Sequence, residues 1–336
     1  MINVIVAGAA GRMGCRLIAL IKDSTVITLA GALESKGHHA IGDDAGETAG
    51  CGHVGLPITD DVTALLDRGE VVVDFSAPEA TLHNVRTVAQ YRRAMVIGTT
   101  GFSAPQFEEL NSLARRIPCV LSPNMSVGVN LIYKVIGEMA KTLGDEYDIE
   151  VLEAHHRLKK DAPSGTALKI AEVLATAVGR DLDQVGVYAR KGLIGERKKG
   201  EIGIQTIRAG DIVGDHTILF GGMGERIEVT HRANSRDTFA QGALRAARWV
   251  VRQPPGLYDM MDVLGLRWFL LPAPAPHNVH LTGNHLRCDR SSVQVPLGLH
   301  RSRSWRDAEA TIVWRGKGIA SRVTDRLPQG PAYLWG

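Results

Sequence analysis

Two histidines, an arginine and two lysines fall within the six consecutive positions 155–160. His155 and His156 can titrate near neutral pH, and a lysine among other cations should have a lowered pKa. The cluster can therefore attract an anion and also donate a proton to it. The alternative interpretation is a solvated basic loop that precedes an ordinary capped helix.

The residues after this cluster predict a helix start. Asp161 and Ser164 are both plausible N-caps, and Pro163 suits an early helical position. Gly165 and Thr166 would then present unpaired backbone N–H groups at the positive end of the helix. The sequence therefore predicts an anion pocket beside the histidines.

The cluster needs two elements to position it. Residues 148–154 alternate polar and apolar side chains, which predicts a half-buried strand, and the apolar residues of 168–178 recur at helical spacing. The cluster is therefore predicted to lie in a strand-to-helix connection.

A glycine motif at the start of the chain predicts a nucleotide site. Residues 2–7 form an apolar strand that runs into Gly8, Gly11 and Gly14, and a helical pattern follows. Strand, glycine turn and helix are typical of a dinucleotide-binding unit, although the spacing differs from the commoner Gly-x-Gly-x-x-Gly. Gly8 would allow the tight turn, Gly11 the approach of a pyrophosphate, and Gly14 the packing of helix on strand.

An acidic residue indicates which dinucleotide binds. The second predicted strand, 26–33, ends in Glu34, about twenty residues beyond the motif, where a carboxylate can accept hydrogen bonds from an adenosine ribose. This favours NAD. Arg12 and Lys36 are near enough in sequence to tolerate a 2′-phosphate, so NADP stays open, and an ordinary surface carboxylate is the alternative interpretation of Glu34.

Further strand ends converge on the same crevice. Residues 71–75 and 95–97 read as buried parallel strands, the second of which enters a glycine turn at 98–102. In a doubly wound sheet such turns meet at the ligand, so 98–100 should face the nicotinamide half of the cofactor. The loop at 122–126 follows another strand, and a helix is predicted over 127–143.

Residues 38–57 show no periodicity and are predicted to be a loop of about 20 residues, which is long for a compact domain. Its acidic and histidine side chains match no metal-site spacing, so no metal is expected and a mobile surface loop is favoured. Cys15, Cys51, Cys119 and Cys288 form no Cys-x-x-Cys pair and are expected to be free thiols.

The second half reads differently. Residues 203–209, 214–220 and 225–232 alternate cleanly, which predicts antiparallel strands with one buried face. We predict an α/β fold with a Rossmann-type dinucleotide-binding domain at 1–126 and 235–267 and an α+β substrate domain at 127–234. The second domain has an open mixed or antiparallel sheet, whose spare face suggests self-association.

The composition of the chain limits the locations and the partners that are expected for it. The chain of 336 residues is 44% hydrophobic and 22% charged, which is ordinary for a globular protein of two domains. No apolar run reaches the about 18 residues of a membrane helix, and the first ten residues have no basic leader, so a cytoplasmic location without membrane attachment is expected. The first 267 residues carry a charge of about −2, which does not favour nucleic acid as a partner.

Residues 268–336 differ from the rest. Eight of their nine basic residues are Arg, and they contain four of the five tryptophans of the chain. The Pro-rich run at 271–277 is typical of a linker. A disordered or loosely packed extension is expected, and an arm for nucleic acid or a membrane surface is the alternative.

Seven motifs, taken in order over residues 1 to about 267, resemble the bacterial 4-hydroxy-tetrahydrodipicolinate (dihydrodipicolinate) reductase family. They are Val-Ala-Gly-Ala-Ala-Gly-Arg-Met-Gly at 6–14, Asp-Phe-Ser at 74–76, Gly-Thr-Thr-Gly-Phe at 98–102, Ser-Pro-Asn-Met-Ser at 122–126, Glu-Ala-His-His-Arg at 153–157, Lys-Lys-Asp-Ala-Pro-Ser-Gly-Thr-Ala at 159–167 and Arg-Ala-Asn-Ser-Arg at 232–236. The string at 155–166 is by far the most specific of them.

The resemblance implies roles for individual residues. His155 would be the proton donor, Lys159 would assist protonation, and His156, Gly165 and Thr166 would bind a small dicarboxylate substrate. The cofactor, NADH or NADPH, would have its pyrophosphate held by Gly8, Ala9, Ala10, Gly11, Arg12 and Met13, and its adenosine ribose by Glu34. Its nicotinamide end would be held by Gly98, Thr99, Thr100, Ser122, Pro123, Asn124 and Met125.

The family fold implies a homotetramer assembled through the open sheets and a role in the lysine and diaminopimelate pathway. Ser35 stands where some relatives have Arg, which leaves the choice between NADH and NADPH open. Two other functions remain as alternatives: another Rossmann dehydrogenase, of the aspartate or diaminopimelate type, and a cofactor-sensing protein without catalysis.

Overall fold

A computed structural model describes residues 1–267 and, beyond them, only short strand segments. The strands in the first part are β1 (Ile2–Ala7), β2 (Ile27–Leu33), β3 (Ile58–Thr59), β4 (Val71–Asp74), β5 (Ala94–Ile97), β6 (Pro118–Leu121), β7 (Asp148–His155), β8 (Gly186–Val187), β9 (Ile202–Arg208), β10 (Gly214–Gly221), β11 (Arg226–Ala233) and β12 (Gly256–Tyr258). The helices are α1 (Arg12–Lys22), α2 (Ala45–Thr48), α3 (Thr63–Leu66), α4 (Pro78–Gln90), α5 (Ala104–Ala114), α6 (Val127–Leu143), α7 (Gly165–Ala177), α8 (Leu182–Val185), α9 (Asp237–Val250) and α10 (Met260–Val263).

The first sheet is parallel throughout, in the order β12-β6-β5-β4-β1-β2-β3. Both of its faces are buried, because Val4 and Val6 belong to one apolar cluster while Ile5 and Ala7 belong to another. The predicted Rossmann-type architecture is confirmed. Strands that follow β1 in sequence are added first on one side of it (β2, β3) and then on the other (β4, β5, β6). The strand order therefore reverses between β1 and β4, and the carboxyl ends of these two strands form the crevice in which such sheets bind ligands.

The helix expected at 235–252 is α9, two residues shorter at each end. Its four buried alanines lie in the same cluster as Val4 and Val71 of the first sheet, and they are Ala240, Ala243, Ala246 and Ala247. The chain thus returns to the first sheet after it has built the second.

The second sheet is mixed, with the order β11-β10-β7-β9-β8. β10 pairs antiparallel with β7 and β11, but β9 is parallel to β7 and to β8. The expectation that 203–209 is an antiparallel strand is therefore wrong. The connection from β7 to β9 passes through α7, and a crossover of this kind returns the chain in the same direction.

Helices α6 and α7 cover one face of the second sheet, where Val129, Ile136 and Ile170 pack against Val151 and Ile218. On the opposite face Leu152, Thr217 and Leu219 are half-buried and Thr230 is exposed. This face is the spare surface that the alternating pattern predicted.

The segment 38–57 is more ordered than expected. It contains α2, and the Asp44 carboxylate accepts hydrogen bonds from the backbone N–H groups of Gly46, Glu47, Val54 and Leu56 at 2.9–3.3 Å. Burial opposes ionisation of Asp44, but these four donors outweigh it and lower its pKa to about 2. The segment is a loop over most of its length, as predicted, but α2 and the contacts of one carboxylate were not predicted, and its mobility stays a prediction.

Residues Phe269–Gly336 form a separate unit, of which the structure describes β13 (His280–Thr282), β14 (His285–Arg287), β15 (Val295–Pro296), β16 (Ile312–Gly316) and β17 (Ile319–Val323). The first three pair antiparallel in one sheet, and the last two form an antiparallel pair. Most of the extension predicted for 268–336, with Cys288, lies outside the described residues, and its order and role stay predictions. Within the described residues, no helix has the length and apolar character needed to cross a membrane.

Candidate active site

Two functional side chains at the C-terminal end of strand β7 point inward. Residues two apart in a strand share a face, so Glu153 and His155 both point to the side covered by helices, where they are 0% and 9% exposed. His155 Nδ1 lies 2.6 Å from Glu153 Oε2. The histidine that the sequence singled out is thus held by a buried carboxylate.

Glu153 has further partners. Arg208, at the end of β9, donates to both carboxylate oxygens at 2.8 Å, and the Ser164 backbone N–H donates to Oε1 at 3.0 Å. Burial raises the pKa of Glu153, but the hydrogen bonds from Arg208, His155 and Ser164 reverse this and the pKa is lowered overall. The carboxylate is therefore ionised at neutral pH. Sequence analysis gave Glu153 and Arg208 no role, although an acidic residue on the buried face of a strand was a usable signal.

The His155 side chain is 11% exposed. Its Nε2 has no hydrogen-bond partner among the described residues and is not one of the fully buried atoms. Burial lowers the pKa of His155 more than the hydrogen bond and charge of Glu153 raise it, and the charges of Lys159 and Arg208 lower it further. Without a ligand, His155 is neutral at pH 7, with one ring nitrogen open to the site.

Lys159 of the basic cluster makes its contacts with neighbouring residues of the same segment. Lys159 N–H donates to His156 O at 3.1 Å, and Lys159 Nζ lies 2.9 Å from Asp161. His156 Nδ1 is buried without a partner among the described residues. Lys159 is 21% exposed, so it lies partly inside the site rather than extended into solvent.

Ser164 is the N-cap of α7, and its hydroxyl accepts from the Ala167 N–H at 3.1 Å. Asp161 and Pro163 lie before the cap, so the placement of Pro163 in the helix and the alternative cap at Asp161 are wrong. In the described part of the chain the backbone N–H groups of Gly165 and Thr166 have no acceptor. The helix thus opens with two free donors beside His155, as an anion pocket requires.

His216 is a further buried group that sequence analysis missed. It is 5% exposed, its Nε2 lies 3.2 Å from the Ser164 hydroxyl, and its ring meets that of His155 edge-on with centroids 5.2 Å apart. Burial and the neighbouring His155 lower its pKa to about 3. The His216 ring is therefore neutral, unlike a second charged histidine, and it contacts the Ser164 side chain that caps α7.

The two halves of the described chain meet at this helix. Asn124, in the loop after β6, donates from Nδ2 to Thr166 Oγ1 at 3.0 Å. The same asparagine accepts from the Ser126 N–H through Oδ1 at 2.9 Å. The loop expected at the nicotinamide end and the helix expected to bind a substrate carboxylate are therefore adjacent.

The glycine motif forms the predicted turn. Gly8 has a φ of +74°, which an L side chain rarely adopts. A Cβ on Gly14 would lie 2.1 Å from Gly8 O, so helix α1 packs directly on the turn. Gly11 precedes α1 as its N-cap without a side-chain hydrogen bond.

Glu34 closes this turn from the end of β2. Its Oε2 accepts from the Ala10 N–H at 3.1 Å, and its Oε1 accepts from the Ser35 N–H at 2.8 Å. Ala9 N–H is bonded to Leu33 O at 3.0 Å. Glu34 therefore lies beside the glycine turn, as the predicted ribose contact requires.

Asp74, at the carboxyl end of β4, is 0% exposed and was given no role from the sequence. It accepts hydrogen bonds from Ser76 N–H at 2.9 Å, from Asn84 Nδ2 at 2.9 Å and from Thr81 Oγ1 at 3.2 Å. Thr81 Oγ1 also lies 2.9 Å from Thr99 Oγ1, within hydrogen-bond distance. The side chain of Thr99 is thus used inside the protein, and its backbone is what remains for a ligand.

Among the other residues expected at the nicotinamide end, some have side chains that are used inside the protein and others are exposed. Ser122 Oγ donates to Asn124 O at 2.8 Å, and Met125 is 1% exposed in the core. Thr100 and Pro123 are exposed beside them. Contacts from Ser122 and Met125 to a cofactor would therefore come from the backbone.

These residues fit a dinucleotide. In the described chain the backbone N–H groups of Arg12 and Met13, in the first turn of α1, have no acceptor, and such a turn after a glycine loop binds pyrophosphate. Glu34 is placed for a ribose. Among the described residues no cluster of His, Cys, Asp and Glu could hold a metal ion, and Cys15, Cys51 and Cys119 are free thiols.

Comparison with known proteins agrees with this geometry. Family models described as dihydrodipicolinate reductase, N-terminus and C-terminus, match residues 2–125 and 128–264. The chain is 56% identical to a 4-hydroxy-tetrahydrodipicolinate reductase of Syntrophus aciditrophicus (strain SB) over 267 residues, and 57% identical to one of Syntrophobacter fumaroxidans (strain DSM 10017 / MPOB) over the same length. Each match covers 80% of this chain and 100% of the relative.

Among solved structures, the chain is similar to a dipicolinate-bound dihydrodipicolinate reductase from Paenisporosarcina sp. TG-14, with a TM-score of 0.60 and 23% identity. The match covers 78% of this chain and 98% of that one. At this identity the likeness shows a shared fold.

Proposed function

The chain belongs to the dihydrodipicolinate reductase family, and we propose that it reduces 4-hydroxy-tetrahydrodipicolinate to tetrahydrodipicolinate with NADH or NADPH, in lysine and diaminopimelate biosynthesis. One observation carries this proposal, which is 56–57% identity over the full length of relatives with that activity in their names. The geometry of the site supports the same reaction.

The substrate would lie in the crevice, with the glycine turn on one side of it and the basic cluster on the other. Its two carboxylates are suited to the free N–H groups of Gly165 and Thr166 and to the side chains of Lys159 and His156. Preorganised donors of this kind stabilise negative charge most strongly where water is excluded. The contact between Asn124 and Thr166 keeps this pocket beside the nicotinamide loops.

The bound dinucleotide would supply a hydride to the substrate. His155 would hold the proton that follows, at Nε2, because Nδ1 is engaged by Glu153. Burial keeps the pKa of His155 low in the free protein, and a dianionic substrate nearby would raise it. Substrate binding would therefore charge the acid where it is used, and Lys159 would supply a second positive charge.

NADH is the favoured cofactor in this proposal. The Glu34 carboxylate beside Ala10 would accept hydrogen bonds from a ribose and repel a 2′-phosphate. Ser35 offers no positive charge to offset that repulsion, whereas Arg12 and Lys36 are exposed in the same region. NADPH would accordingly bind less tightly than NADH but would still be used.

The organisation of the chain belongs to the same proposal. Residues 1–126 and 235–267 would form the dinucleotide-binding domain, and 127–234 the substrate domain, which would assemble a homotetramer through the half-buried face of its sheet around Leu152, Thr217 and Leu219. The protein would act in the cytoplasm. Sedimentation of the purified chain would test the assembly state.

Another Rossmann dehydrogenase or a cofactor sensor would share the glycine turn, but would not need the pocket formed by His155, Lys159 and the start of α7. A coupled assay separates these functions. Dihydrodipicolinate synthase generates the unstable substrate, and absorbance of NADH or NADPH is followed with each cofactor in turn. The proposal predicts oxidation of NADH or NADPH that depends on the synthase. Reduction of NAD+ or NADP+ with aspartate or diaminopimelate and no synthase-dependent oxidation, or no reaction with any of them, would contradict it.

A further inference from the structure

We propose that Glu153 is the positioning residue of this site, which fixes the His155 ring and the start of α7 together, and that Arg208 sets how strongly it acts on His155. This inference rests on the proposed function, because it takes His155 as the proton donor. It assigns a role in the reaction to two side chains that need not touch the substrate.

The geometry joins three elements at one carboxylate. Oε2 of Glu153 meets His155 Nδ1 at 2.6 Å and an Arg208 Nη at 2.8 Å. Oε1 meets the Ser164 N–H at 3.0 Å and the other Arg208 Nη at 2.8 Å. A carboxylate has about four lone-pair sites, so all of them are used, and β7, β9 and the cap of α7 are held in one arrangement.

The ionised carboxylate also decides which ring nitrogen carries the proton. It can only accept hydrogen bonds, so His155 must carry a hydrogen on Nδ1. Nε2 is then the atom that gains and loses the proton, and it is the ring nitrogen without a partner among the described residues. Without Glu153 the ring could rotate or take the other tautomer, which would present the wrong atom to the substrate.

The charges around His155 act in opposite directions. Glu153 raises the pKa of His155, while Arg208 from β9 and Lys159 from the following loop lower it. Asp161 faces Lys159, and His216 on β10 is neutral because its pKa is about 3. Removing the negative charge at 153 and removing the positive charge at 208 should therefore displace the titration of His155 in opposite directions.

A general acid must be protonated to work, so kcat/KM falls as pH rises through its pKa. Glu153→Gln should move this falling limb to lower pH by about one unit, and Arg208→Gln should move it to higher pH by a similar amount. Arg208→Lys keeps the charge and should leave the limb near that of the wild type. A role limited to stability would lower activity at every pH without moving the limb.

The experiment compares the pH profiles of kcat/KM for the wild type and these three variants at saturating NADH. Opposite displacements for Glu153→Gln and Arg208→Gln, with restoration in Arg208→Lys, support the proposal. Unmoved limbs, or displacements in the same direction, overturn it. If Glu153→Gln does not fold, the comparison of Arg208→Gln with Arg208→Lys still decides, because an unmoved limb in Arg208→Gln overturns the proposal.

Nitrogen-15 NMR of the histidine rings supplies a readout that does not depend on activity. The His155 signals, identified by their loss in His155→Gln, should show the Nδ1–H tautomer in the wild type at pH above the pKa of the ring. The Nε2–H tautomer would overturn the positioning role even in an active enzyme. An Nδ1–H signal in a protein with no reductase activity would instead reject the proposed function and leave the contact with Glu153 intact.

Discussion

Asn124 Nδ2 lies 3.0 Å from Thr166 Oγ1, and this contact joins a loop at the carboxyl edge of the parallel sheet to the first turn of the helix that follows the basic cluster. The two residues are 42 positions apart in sequence. The proposed cofactor site and the proposed carboxylate site therefore share a hydrogen bond.

Thr166→Val should weaken this connection. The change removes the hydroxyl that accepts from Asn124 and retains the shape of the side chain, so we expect a loss of about 1 kcal/mol, or roughly fivefold in kcat/KM for the dicarboxylate substrate. Steady-state kinetics at saturating NADH measure it. Thr166→Ser retains the hydroxyl and is the matched control, and equal losses in the two variants would show that the contact does not matter.

His155→Gln and Lys159→Ala should each reduce turnover by about 10²–10⁴, the usual effect of losing a general acid. NADH affinity, measured by fluorescence titration, should be nearly unchanged. Lys160→Ala is the matched control, because Lys160 is exposed beside Lys159. Near-normal turnover in both site variants would reject the assignment.

Glu34→Gln should narrow the difference between the two cofactors. The neutral amide no longer repels a 2′-phosphate and accepts ribose hydrogen bonds less strongly, so KM should rise for NADH and fall for NADPH. Lys36→Ala should affect NADPH alone if the lysine reaches the 2′-phosphate. Unchanged KM values for both cofactors in Glu34→Gln would mean that Glu34 does not face the ribose.

Gly14→Ala should damage the nucleotide site and the fold together. Its Cβ would lie 2.1 Å from Gly8 O, so either the turn or the helix must move, at a cost of about 1–3 kcal/mol. Gly137→Ala is the matched control in α6, since its Cβ would make an ordinary 3.4 Å contact with Val173 and a helical alanine is favoured by up to about 1 kcal/mol. Thermal unfolding should show opposite shifts, and a Gly14→Ala protein as stable as the wild type would contradict the close packing.

Local patterns predicted most of the elements. The helix expected at 127–143 is α6 with the same bounds, and the alternation at 148–154 is β7. Ser164 is a cap because its hydroxyl competes well for a free N–H, while Pro163 was misplaced, since a proline is equally compatible with the residue before a cap. Signals carried by neighbouring residues were therefore sufficient for these features.

Strand direction in the second sheet and most side-chain contacts between residues distant in sequence were not predicted. Nothing near β9 in sequence indicates that it lies parallel to β7, because strand direction depends on the path of the crossover through α7. The roles of Arg208, Asp74 and His216 depend on partners brought together by the fold. Glu153 could have been found from the sequence, because the strand β7 extends to His155 and residues two apart in a strand share a face.

A crystal structure of the protein with NADH and pyridine-2,6-dicarboxylate, an unreactive analogue of the proposed substrate, tests the central proposal most directly. We expect the nicotinamide beside Gly98 and Asn124, one carboxylate about 3 Å from the N–H groups of Gly165 and Thr166, and Nε2 of His155 directed at the bound ring. A dicarboxylate bound elsewhere, or a His155 ring directed away from the crevice, would contradict the account.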